Sequence, residues 1–112
     1  MTMNEVEQAV LKHEVGEVSP RLCIRSDTRI DGGRWWRPVP LWLLVLDDEL
    51  VLLAAGRRRF VGRIPLAEAG ESHFDHQKGA LVIAPCEGWP VNHVAVKASE
   101  AIRVLRFMGL DT

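Results

Sequence analysis

A chain of 112 residues, with 47% hydrophobic and 26% charged residues, has the size and composition of one globular domain. Its net charge of −1 gives no reason to expect a nucleic-acid partner. The first ten residues lack the apolar core of a signal peptide, and no apolar stretch approaches the ~20 residues that span a bilayer. Because Cys23 and Cys86 are the only cysteines and neither belongs to a CxxC pair, we expect a cytoplasmic protein with reduced, non-catalytic thiols.

The first predicted element is an amphipathic helix over residues 3–15. Thr2 and Glu5 fit a capping box, with Thr2 as the N-cap, and Gly16 supplies a stop. The helical spacing assigns an apolar stripe to Val6, Ala9, Val10 and His13, and a polar face to Glu7, Lys12 and Glu14. A helix with one apolar stripe has to dock on another element.

A half-buried strand over residues 21–30 follows, because its apolar residues alternate in part with polar ones. Residues 31–33 (Asp-Gly-Gly) indicate a turn. Trp35 and Trp36 come next, and on a strand one of them would face inward and the other outward. Tryptophan is enriched at the centre of protein interfaces, so both are candidate interaction residues; alternatively, one lies in the core and the other under the N-terminal helix.

The centre of the chain predicts a meander of three strands. Two apolar runs, 41–46 and 50–55, flank the acidic turn 47–49, and a third run, 60–66, follows a basic turn. Both hairpin strands are apolar on both faces, whereas antiparallel strands commonly have one wet face. We therefore expect one face to be the core and the other to be covered by the 3–15 helix or by another subunit. Trp42, on one of these two faces, is a further candidate interaction residue.

Three more short strands are predicted over 72–77, 80–84 and 91–97. A final helix over 100–108 would begin after Ser99 as N-cap and end before Gly109. Its apolar stripe would comprise Ala101, Ile102, Leu105 and Met108. About seven antiparallel strands with a helix at each end give an α+β, mainly β fold.

At this point the residues resemble a known family. The string VLDDELVLL is similar to a hairpin of bacterial pleckstrin-homology-like (PH-like) and GRAM-like domains, and GRRRFVGRIPLAE to the strand that follows it. The resemblance implies a single domain over 1–112, in which helix 1–16 is appended to a partly open seven-stranded barrel with a C-terminal helix, over about 21–109. It also implies a non-enzymatic binding or assembly module without a cofactor, since relatives bind phosphoinositides, peptides or other subunits.

The candidate sites follow from local composition. Arg57, Arg58, Arg59 and Arg63 predict weak binding of an anionic phosphate or lipid, because arginine forks suit phosphate; alternatively, the basic turn is a solvated loop that protects a sheet edge. The histidines and Cys86 match no zinc-ligand spacing, so no metal is expected. A different class of function would be a small-ligand-binding barrel or an enzyme with Cys86 as nucleophile and His93 as base.

Overall fold

The computed structural model describes residues 3–30, 38–56, 59–84 and 93–110. Within these ranges the chain forms seven strands, two α-helices and one short 3-10 helix, which makes the fold α+β and mainly β, as predicted. In chain order the elements are α1 (Glu5–Glu14), β1 (Leu22–Ile30), β2 (Val39–Val45), β3 (Glu49–Ala55), β4 (Arg59–Pro65), the 3-10 helix (Leu66–Glu68), β5 (His73–Asp75), β6 (Ala80–Val82), β7 (His93–Ala95) and α2 (Ala98–Phe107).

The strands form two antiparallel sheets. The first has the order β1-β2-β3-β4 and the second has the order β5-β6-β7. The predicted central hairpin is confirmed: Val45 pairs with Leu50, and the backbone N–H of Leu46 donates to the carbonyl of Glu49 at 2.8 Å. Asp47 and Asp48 of the acidic turn are exposed, because their carboxylates would be costly to bury, while Glu49 is half-buried.

One face of the β2–β3 hairpin contributes to the main core. Alternate residues such as Leu43 and Leu52 point from the first sheet toward the second sheet and α2, because side chains on a strand alternate between the two faces. Opposite them lie Leu81 and Val94 from the second sheet and Val104 from α2. This core therefore joins the two sheets and the C-terminal helix.

The other face of the hairpin is also buried, and α1 covers it. The sheet contributes Trp42, Leu44, Leu46, Val51, Leu53 and Ala55, and the N-terminal segment contributes Met3, Val10 and Leu11. The prediction that this second face is covered is thus confirmed, and the cover is the N-terminal helix. We call this cluster the second core.

The predicted cap and stripe of α1 are wrong in detail. The capping box is formed by Asn4 and Glu7: the backbone N–H of Glu7 donates to Asn4 Oδ1 at 2.8 Å, and the backbone N–H of Asn4 donates to Glu7 Oε1 at 2.9 Å. The helix therefore begins two residues later than predicted. Val6 points into solvent with 55% exposure, and Ala9 is exposed as well. Glu7, assigned to the polar face, is buried instead.

The predicted N-cap of α2 and one residue of its predicted apolar stripe are wrong. The helix begins at Ala98 after Lys97, and no side chain caps it, so Ser99 is not the N-cap. Its buried residues are Ala101, Val104, Leu105 and Met108, which have i, i+3, i+4, i+7 spacing. Ile102 lies about 100° round the helix from Ala101 and is 36% exposed. Gly109 has φ +82° and ends the helix as predicted.

A β-bulge in β1 brings this strand against both sheets. Arg25 pairs with Trp42, but Arg29 pairs with Pro40, so β1 has two more residues than β2 over this interval. The Ser26 hydroxyl donates to the Leu41 carbonyl at 2.6 Å within the bulge. Within the same bulge, Thr28 Oγ1 accepts a hydrogen bond of 2.7 Å from the backbone N–H of Ala95 in β7. β1 therefore connects the open edges of the two sheets.

Candidate functional site

A concave surface lies between the edge strand β5 and α2. Among the described strands, β5 is hydrogen-bonded to β6 alone, so its outer side is a sheet edge. Beside that edge runs a groove of about 430 Å³. It is lined by Ser72, His73, Phe74, His76, Ala98, Ile102 and Leu105. We call it the β5–α2 groove.

The floor of this groove is apolar because it is an extension of the main core. Phe74 and Leu105 both pack in that core, and Ile102 projects beside them from α2. Ile102 is 36% exposed, whereas Leu105 on the same helix is buried. The groove thus offers apolar surface next to free backbone groups of a strand.

The polar groups around the groove are engaged with their own chain. Ser72 Oγ accepts a hydrogen bond of 3.0 Å from the backbone N–H of Ala84. His73 Nδ1 lies 3.0 Å from the carbonyl oxygen of Glu71. The ring of His76 makes an edge contact with Phe74 at a centroid distance of 4.8 Å. These contacts hold the rim in place and leave the apolar wall exposed.

The other sheet edges are less open. The hydrogen bond between Thr28 and Ala95 places β1 against β7. On β4, Arg59 and Arg63 project from the strand and Pro65 ends it, and charged residues and proline are common means of protecting an edge. Of the described edges, β5 is the one bordered by an apolar groove.

The predicted anion site is placed only in part. Arg57 and Arg58 lie outside the described residues. Arg59 Nη1 is 3.7 Å from Glu14 Oε1 at the end of α1. The guanidinium of Arg63 donates to Glu49 Oε1 through Nη2 at 2.7 Å and through Nε at 3.1 Å, which raises the pKa of Arg63. Both described arginines therefore face a carboxylate, and anion binding at this turn stays a prediction.

Of the three predicted interaction tryptophans, only Trp42 lies within the described residues. Trp35 and Trp36 lie outside the described residues. Trp42 is buried beneath α1, where its indole Nε1–H donates to Glu7 Oε2 at 2.5 Å. Its contribution is to the packing of α1 on the sheet, and it lies away from the surface.

Of the two thiols, Cys23 is the one within the described residues. Cys86 lies outside the described residues, so the Cys86–His93 hypothesis stays untested. Cys23 is a free thiol, and partial burial together with the negative charge of Glu7 raises its pKa, so it is protonated and weakly nucleophilic at neutral pH. In the ranges that the structure covers, no three His, Cys, Asp or Glu side chains are grouped to hold a metal ion.

Sequence reasoning missed the groove because it had assigned Ile102 to the buried stripe of α2. The sequence did contain a signal. One helix face accommodates residues at i, i+3, i+4 and i+7, and Ile102 and Val104 are two positions apart, so they cannot both lie at its centre. The chain matches no protein-family model, no curated protein and no solved structure. Neither described helix is both long and apolar enough to cross a membrane.

Proposed function

We propose that this protein is a non-enzymatic binding module that takes an extended segment of a partner protein in the β5–α2 groove. The observation that carries the proposal is the open edge of β5 beside an apolar groove. A segment added as a fourth strand gains main-chain hydrogen bonds from β5, while the groove selects its side chains. The PH-like resemblance supports this proposal, since relatives bind peptides or other subunits.

The groove indicates the chemistry of the segment. Side chains alternate along a strand, so every second residue of an added strand would face Phe74, Ile102 and Leu105. We therefore expect alternating apolar residues in the ligand. Because β5 has only three residues, few backbone hydrogen bonds are available and the interaction is expected to be weak and transient.

The test uses a displayed library of random peptides selected on the purified protein. The binding of selected peptides is then measured for wild type, Ile102→Glu and the matched control Val18→Glu. Ile102 and Val18 have the same exposure, 36%, but Val18 does not line the groove. We expect Ile102→Glu to weaken binding about tenfold or more, and Val18→Glu to leave it within about twofold, because only the former places a charge in the groove.

The amide signals of β5 provide a second measurement. Added-strand binding should slow hydrogen exchange at residues 73–75, while a peptide on another surface should leave it unchanged. The proposal is overturned if no peptide is selected, or if both glutamate variants lose binding equally. If the wild-type protein self-associates and Ile102→Glu alone abolishes it in light scattering, the segment comes from a second copy.

A further inference from the structure

A second concave surface lies on the opposite side of α2, between this helix and β1. Its volume is about 540 Å³. Four basic side chains line it, Arg25, Arg29, Lys97 and Arg103, together with the carboxylates of Asp27 and Glu100. Four cations against two anions leave a formal charge of +2, in a protein whose net charge is −1. We call it the β1–α2 cleft.

The fold assembles this charge from two segments that are far apart in sequence. On β1, Arg25, Asp27 and Arg29 point away from the main core, as their exposure shows. On α2 and its N-cap, Lys97, Glu100 and Arg103 recur every three residues and so share one helix face. The bulge turns β1 toward β7, and α2 follows β7 directly, which brings the two sets of side chains together.

Three of the four cations of the cleft differ from Arg59 and Arg63 in their partners. Arg59 and Arg63 each lie within 4 Å of a carboxylate. Arg29, Lys97 and Arg103, in contrast, make no side-chain hydrogen bond or ion pair with any described residue. Like charges held near one another in a concave, partly desolvated surface raise the local concentration of anions.

We propose that the β1–α2 cleft binds a phosphate-bearing anion. Guanidinium groups form paired hydrogen bonds with phosphate oxygens, and a lysine adds a compact charge that suits the same ligand. The cleft is much larger than one phosphate, and its cations come from both β1 and α2. A ligand with two or more phosphate groups therefore fits the cleft better than a ligand with a single phosphate group. This site is separate from the β5–α2 groove and does not depend on it.

Cys23 lies in the cleft as well. Since its raised pKa keeps this thiol protonated at neutral pH, Cys23 is a weak nucleophile there. It also provides a reporter: in a Cys86→Ser background, the rate of Cys23 alkylation measures access to the cleft.

The experiment titrates inorganic pyrophosphate into the full chain and follows heat and the alkylation rate of Cys23. The test variant is Arg29→Ala with Arg103→Ala. The matched control for the Arg103→Ala change is Arg106→Ala, which removes one positive charge from the same helix at an exposed position outside the cleft. We expect saturable binding that slows alkylation, a loss of about tenfold or more in the double variant, and less than about twofold in the control.

Two further measurements distinguish a lipid headgroup from a soluble ligand, and the cleft from the basic turn. Phosphatidylcholine vesicles with and without phosphatidic acid test a lipid headgroup: cleft-dependent pelleting with phosphatidic acid supports that source, and pyrophosphate binding alone supports a soluble ligand. An Arg57/Arg58/Arg59→Ala triple variant tests the basic turn. The proposal is overturned if neither probe binds, if Arg106→Ala weakens binding as much as the double variant, or if only the triple variant abolishes it.

Discussion

At the scale of single residues, Glu7 connects α1 to the sheet. Its side chain is only 4% exposed, and each carboxylate oxygen has a donor: the backbone N–H of Asn4 and the indole N–H of Trp42. Burial of a charged group is costly unless it is paired or hydrogen-bonded, and here both oxygens are satisfied. One glutamate therefore caps the helix and determines which face of it meets Trp42.

We predict that Glu7→Ala lowers the free energy of unfolding by about 2–4 kcal/mol, because it removes half of the capping box and leaves the buried Trp42 N–H without its acceptor. Chemical denaturation measures the change. The matched control is Glu5→Ala in the same turn, whose exposed side chain should contribute less than about 1 kcal/mol. Equal losses in the two variants would contradict this role of Glu7. A double-mutant cycle with Trp42→Phe should show coupling between the two side chains.

At the scale of elements, the buried face of α1 differs from the one that hydropathy predicts. Both Val6 and Val10 are apolar and belong to the stripe that hydropathy predicts, yet only Val10 is buried. With Asn4 as the N-cap and Glu7 hydrogen-bonded to Trp42, Met3, Val10 and Leu11 meet the sheet and Val6 faces solvent. Val6 and Val10 lie only about 40° apart around the helix, so the limit of the buried stripe falls between them.

The two valines offer a matched pair for this claim. We predict that Val10→Ala lowers the free energy of unfolding by about 1–3 kcal/mol, since it removes two methyl groups from the second core. The same substitution at Val6 should change it by less than about 0.5 kcal/mol. Urea denaturation of both variants gives the comparison, and a larger loss for Val6→Ala would contradict the assignment of Val10 to the second core.

At the scale of the whole molecule, the β2–β3 hairpin is a single layer between two cores. Its inner residues pack against the second sheet and α2, and its outer residues pack under α1. Strands that are buried on both faces lose the alternation of ordinary antiparallel strands, which explains the continuous apolar runs 41–46 and 50–55. α1 is therefore a structural part of the domain.

Deletion of residues 1–16 should expose the outer face of this hairpin. Six buried side chains of the sheet would lose their cover, which exceeds the apolar patch that monomeric proteins usually expose. We expect a lower melting midpoint, new binding of a hydrophobic dye and association in light scattering. Addition of a synthetic peptide of residues 1–16 should partly reverse these changes. A monomeric truncated protein with an unchanged midpoint would show that the second core contributes little.

The candidate sites were harder to predict from the sequence than the helices and strands, because they depend more on tertiary structure. The anion site was predicted at Arg57–Arg59 and Arg63 because these residues are close in sequence, whereas the β1–α2 cleft collects residues about 70 positions apart, such as Arg29 and Lys97. No local pattern relates them. The β5–α2 groove likewise depends on which side of α2 packs inward, and Ile102 shows that hydropathy alone assigns that side incorrectly.

The amino-acid sequence by itself determined the seven strands, the two terminal helices, the acidic hairpin turn and the need for a cover over one face of the hairpin. These features follow from local periodicity, turn residues and the free energy of apolar burial, which act over short stretches of chain. Tertiary structure alone decided that α1 is the cover, that Glu7 is buried and that the basic residues of β1 and α2 share a cleft. Each of these depends on contacts between distant residues, for which a single sequence contains no local signal.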